Sequence, residues 1–263
     1  MTQASWAQLT GLQAWWPVAL VAARLFGLAS VAPALGTPGL GARMRLILAG
    51  LLGLSLAPAV LRAGALSAEA LPWPGLPAGV TSLLAEVVTG GALGLSAALI
   101  VAGARQAGEI VGFQAGLSPA ALFDPEAGDW LTPLGHLYGA VAVATFLALD
   151  GPWVLVKSVI ESYQVVPLGG LPLTEHLAAW AFARVGDALS LAIRAAAPPA
   201  LAIALAGFAV GLLGRAAPSL QLVALALPVR FLVGLLTVGL GVATLAATFS
   251  NAWQDWAVAG LTE

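Results

Sequence analysis

Glu109 and Gln114 stand inside an apolar run, in the stretch from Gly108 to Gly128, GEIVGFQAGLSPAALFDPEAG, of a 263-residue chain. A carboxylate and an amide in such a setting need donors and acceptors from protein or trapped water, so their chemistry is pairing rather than bond making. Arg24, inside the first apolar run, admits two readings. Snorkelling or facing a neighbour suits it better; the other is an interhelical pair with a buried carboxylate. Arg184 and Asp187 are three apart and Arg194 lies seven further on, so all three can share one helical face. A neutralised structural pairing suits them better than a transport site. Glu86, near the start of an apolar segment, reads as an end-of-helix charge.

Catalytic chemistry finds little to use. There are no cysteines, which removes thiolate metal sites, disulfides and cysteine nucleophiles together. His136 and His176 are the only histidines, and neither belongs to a His-Glu-x-x-His, Gly-x-Ser-x-Gly or phosphate-loop pattern. No catalytic, cofactor or metal residue is expected. Ten Lys and Arg scattered singly, at a net charge of −2, make no patch for nucleic acid.

The elements that hold these residues must be membrane helices. With 60% hydrophobic and 8% charged residues and a mean hydropathy of +0.97, the chain is to be solvated by lipid or partner subunits. The N-terminus has no basic region of a cleavable signal, so the first apolar run is expected to stay as an anchor. Helices are predicted over 15–35, closed by Pro33, and 46–61, ended by Pro58. A proline-rich rigid loop follows over 62–79, then a third helix over 83–104. Thr132 as cap and Pro133 at the first helical position start a charge-free twenty-residue window, 130–149, the clearest spanning candidate. Residues 177–214 read as helix for about 57 Å if unbroken, with a kink predicted at Pro198-Pro199. A last helix is predicted over 222–249. Arg43, Arg45, Arg105 and Arg215 would lie inside if the N-terminus is outside.

Within the central stretch, Gly108, Gly112 and Gly116 recur every fourth position and make a bare ridge over which another backbone can approach. Gly90, Gly94, Ala98 and Ala102 form a second such row. Pro119 has no amide hydrogen and should end the helix, leaving irregular backbone that must be buried in protein or line a cavity. The segment 113–123 is therefore a candidate channel-closing element. Its larger side chains, Phe113, Leu117, Leu122 and Phe123, can exclude ions by dewetting, with Ser118 and Pro119 breaking the helix between them. The alternative is a re-entrant packing loop without a gating role.

Gly112-Phe113-Gln114-Ala115-Gly116 followed by Asp124-Pro125-Glu126-Ala127-Gly128 resembles the FliR family of flagellar type III export-gate subunits, homologous to the T subunits of virulence secretion systems. Arg215, Pro218, Leu220, Pro228 and Gly234-Leu235 match the family's C-terminal pattern. Gln221 stands where that family usually has Asn, and Asp150-Gly151-Pro152-Trp153 where it usually has Asn-Gly-His-His. The resemblance implies an all-α membrane protein of about six hydrophobic segments, several kinked or broken. Residues 1–176 would be similar to the gate's P subunit and 177–263 to the helical hairpin of its Q subunit. It implies a structural, non-enzymatic role in the flagellar protein-export gate, at the basal body in the bacterial inner membrane. Implied partners are P- and Q-type subunits, B- and A-type export subunits, unfolded exported proteins and lipid. It also implies that 113–123 is a plug inside the channel, with Gln114 bonding it to its surroundings. A small-molecule or ion transporter with broken helices is the alternative class, although no duplication of broken helices is visible. The T subunit of a virulence system is the alternative within the family.

Overall fold

The computed structural model describes residues 12–33, 41–63, 74–117, 131–170, 175–216 and 223–259. Among the described residues there are seven helices and no strand: α1 Leu12–Val31, α2 Ala42–Ala63, α3 Leu76–Gln114, α4 Pro133–Ala148, α5 Gly151–Val165, α6 Glu175–Ala216 and α7 Val223–Ala259. The protein is an all-α membrane protein. By length and composition α2, α3, α6 and α7 can each cross a bilayer, and the broken pair α4 and α5 could make a fifth span.

Several boundaries differ from the sequence expectation for physical reasons. Pro58 lies inside α2, which continues to Ala63. The helix predicted from 83 begins at Leu76 and runs 39 residues, about 58 Å, so the third helix and the glycine ridge after it are one element. The helix expected over 177–214 is present as Glu175–Ala216, with Pro198 and Pro199 inside it. The 130–149 window holds only the 16 residues of α4, because Asp150 adopts a left-handed φ of 54° and the backbone breaks before α5. Thr132 does cap α4, its Oγ1 accepting from the Gly135 N–H, with Pro133 in the first helical position.

The chain divides into two compact units. The first comprises Met1–Ala98, Asp150–Ala183 and Trp256–Glu263. Here α1 is the shared neighbour of α2 and α3. A Cβ on Gly53 of α2 would lie 2.8 Å from the Ala22 Cβ. On α3, one added to Gly90 would collide with the Arg24 carbonyl, and one on Gly94 would lie 2.6 Å from the Leu28 carbonyl. The pairs 24/90 and 28/94 advance together, so α1 and α3 run parallel with backbones nearly touching. Leu20, Val21 and Leu25 complete this core.

The second unit comprises Leu99–Leu149 and Arg184–Asp255. Its helices also meet at glycines: Gly103 faces the Ala188 carbonyl of α6, and Gly234 of α7 faces Ile203 and Ala115. The contacts of Gly207 with Arg230 and of Ile203 with Gly234 keep a constant sum of residue numbers, so α6 and α7 form an antiparallel hairpin. Trp253 of α7 packs on Phe146 at 4.6 Å between ring centres and donates its indole N–H to the Ala142 carbonyl at 3.1 Å. Half of the apolar window of α3 is buried, against 17% for those of α6 and α7. The outward faces of that hairpin, with Leu201, Leu205, Phe208, Leu235, Leu236 and Leu240, are therefore solvated by lipid or by other subunits.

A clamped helix end and a buried ion pair

The end of α3 is set by glycine. Gly116 has φ +82°, its N–H donates to the Phe113 carbonyl at 3.1 Å, and the Leu117 N–H donates to the Gly112 carbonyl at 2.9 Å. That pair of bonds is a Schellman closure, in which a left-handed residue lets the chain turn back and satisfy the last helical carbonyls. The helix thus stops at Gln114, before the proline to which its end was attributed. Gly116 does not continue the helical ridge, although a Cβ there would still strike Leu227 of α7. Phe113 is 70% exposed and Gln114 is exposed, both on the last helical turn. Leu117 is half-buried just beyond it. Ser118, Pro119, Leu122 and Phe123 lie outside the described residues.

Gly108 and Gly112 receive the start of α4. A Cβ on Gly108 would overlap Leu134 and Gly135, and one on Gly112 would lie 2.5 Å from the Thr132 Oγ1. The pairs 108/135, 112/132 and 105/139 show the two helices to be antiparallel. Into this seam Glu109 sends its carboxylate. Oε1 accepts the Thr132 backbone N–H at 2.6 Å and the Thr132 hydroxyl at 3.0 Å. Of the two polar groups inside the central apolar stretch, Glu109 is therefore paired by its own chain.

In the other unit, Arg24 and Glu86 form a fully buried ion pair through Nε and Oε2. The guanidinium also donates to Ser162 Oγ at 2.7 Å and to the Val166 carbonyl at 3.1 Å, and lies 3.7 Å from the Tyr163 ring centre. The second carboxylate oxygen of Glu86 accepts the Gly169 N–H at 2.7 Å. One cluster thus ties α1, α3, α5 and the turn after α5. Of the two readings of Arg24, the structure shows the interhelical pair. Glu86 is corrected: with α3 starting at Leu76 it lies mid-helix, not at an end. On α6, Arg184 and Asp187 approach to 3.4 Å on a partly exposed face. Arg194 is not brought to either; it is exposed and makes no ion pair among the described residues. His136 is exposed on the first turn of α4, and His176 lies in α6.

Apolar helices long enough to span a membrane, joined through glycine contacts and with an ion pair buried between them, define a membrane-embedded protein. The chain belongs to the bacterial export proteins, family 1, whose model matches residues 15–256. Within that family it is of FliR type, a subunit of the flagellar type III export apparatus. It is 31% identical over 233 residues to the flagellar biosynthetic protein FliR of Pectobacterium carotovorum, covering 87% of this chain and 83% of that one. Against the flagellar biosynthetic protein FliR of Escherichia coli K12 it is 30% identical over 227 residues, covering 84% and 80%. The Yop proteins translocation protein T of Yersinia pestis is similar at 27% over 147 residues, covering 55% and 56%. The longer and stronger likeness is to the flagellar proteins.

Proposed function

We propose that this chain builds, with P- and Q-type subunits, the inner-membrane channel of the flagellar basal body through which unfolded flagellar proteins leave the cell. B- and A-type export subunits are further partners. The observation that carries this reading is the end of α3. There an apolar helix stops inside a glycine-lined seam, presents Phe113 and Gln114 outward, and has its backbone turned by Gly116. Irregular backbone beside spanning helices is tolerated where protein or a watery cavity surrounds it, and a channel supplies both.

In this reading Phe113, Gln114 and Leu117 belong to the closing segment, together with Ser118, Pro119, Leu122 and Phe123. Apolar groups of that kind hold back water and ions yet yield to an extended polypeptide. Residues 1–176 act as the P-like part and 177–263 as a Q-like hairpin, for which the antiparallel contacts of α6 and α7 speak. The outward leucines of that hairpin are the surface offered to neighbouring subunits.

Deleting Leu117 to Ala120 in the assembled gate should leave subunit association intact and make the membrane leak small ions. The helix and its Glu109 seam lie outside the deletion, so assembly loses little. Normal ion tightness in a correctly assembled deletion complex would remove the closing role, even with secretion impaired.

A further inference from the structure

We propose that Glu109 is a positioning residue that pins the end of α3 to the start of α4 and so fixes where Phe113 and Leu117 stand. The inference rests on the closing role proposed above for that segment and names the group that holds it in place.

In an ordinary capping box the threonine at a helix N-cap accepts from the N–H three residues on, and a Glu at that third position reaches back to the cap N–H. Helix α4 has the first half of this device, Thr132 Oγ1 accepting from Gly135 at 3.1 Å. Its third position is Gly135, which has no side chain. Glu109 of α3 supplies the second half from another helix, its Oε1 accepting the Thr132 N–H at 2.6 Å. That oxygen occupies the space a Gly135 side chain would enter, because a Cβ built there collides with it. Gly112 and Gly108 leave room for the approach, since any side chain at either would strike Thr132 or Gly135.

The consequence is topological. The Leu117 N–H is bonded to the Gly112 carbonyl, and Gly112 lies against Thr132, so the chain leaves α3 and enters α4 at one place. The carboxylate also faces the N-terminal end of α4, where a negative charge is favoured. His136, one turn into α4, is exposed, and Arg105 lies along Gly139 on the same seam. A cap in cis would order α4 equally well, yet it would not hold α3 to it. That difference makes the role testable.

The experiment uses the complex assembled with its co-expressed partner subunits and reads amide hydrogen exchange by mass spectrometry, with ion leakage of the same membranes. Glu109→Ala should speed exchange about tenfold both at 115–117 and at 132–135, since the bond that caps α4 is also the one that pins the end of α3 to it. Glu109→Gln keeps an oxygen in place and should exchange like the parent. In the double variant Glu109→Ala with Gly135→Glu, the cap is rebuilt within α4. Protection at 132–135 should return while 115–117 stays fast. Recovery at both places would show that Glu109 is only a cap, and a glutamine variant as fast as alanine would show that geometry is not what it supplies; either overturns the proposal. If the alanine variant fails to assemble, the glutamine and double variants still decide. Fast exchange at 115–117 in an ion-tight membrane would leave the positioning role standing and remove the closing role instead.

Discussion

Glu86→Leu should destabilise the chain by about 3–5 kcal/mol, the range for removing one partner of a buried ion pair. The Arg24 guanidinium would remain fully buried, still donating to Ser162 and to the Val166 carbonyl but facing no countercharge. The Gly169 N–H would lose its acceptor as well. Thermal half-life of the detergent-solubilised complex and its abundance in the membrane are the readouts. The double variant Arg24→Met with Glu86→Leu should recover part of the loss, because an apolar pair carries no desolvation cost. A deficit of about 1–3 kcal/mol should persist from the orphaned glycine amide. If the single variant is as long-lived as the parent, the cluster does not hold α1, α3 and α5 together.

Gly90→Ala should also be damaging, whereas Gly91→Ala next to it should be neutral or stabilising. At Gly90 the added methyl group would sit on the Arg24 carbonyl, and backbone cannot step aside as a side chain can. The helices would have to separate, stretching the Arg24–Glu86 pair one turn away, at an overpacking cost of about 1–3 kcal/mol or more. At Gly91 the nearest heavy atom is the Gly27 carbonyl oxygen at 4.0 Å, which is ordinary contact. There alanine gains up to about 1 kcal/mol of helix propensity over glycine. Thermal half-lives of the two assembled complexes make the comparison. Equal behaviour of the two variants would mean that α1 and α3 are not in backbone contact.

What the sequence made legible follows from local rules. Apolar length announces membrane helices, and Thr132-Pro133 announces the start of α4. The four-residue glycine spacing places Gly108 and Gly112 on one face. Helical periodicity says which residues share a face, but it does not say what that face meets. Glu86 therefore passed for a terminal charge while its partner stands 62 residues away in sequence. For the same reason Glu109 was visible as an anomaly but its partner, Thr132, was not. Pro119 was the obvious breaker after Gln114, yet the helix closes earlier because Gly116 can take the left-handed conformation that a Schellman turn requires. Pro58 misled in the opposite sense, since α2 runs through it to Ala63.

A closing role for the end of α3 requires that it border the path of the exported polypeptide. It is tested most directly by placing a photo-crosslinking amino acid at Phe113, with Phe208 on the outward face of α6 as a control, and arresting a flagellar substrate in the assembled gate. Both positions are well exposed, at 70% and 66%, so accessibility alone does not separate them. Illumination should join the arrested polypeptide to position 113 and not to position 208, where adducts should form with neighbouring subunits or lipid. Adducts to the polypeptide from position 208, or none from position 113 in a complex that holds the arrested substrate, would contradict that placement.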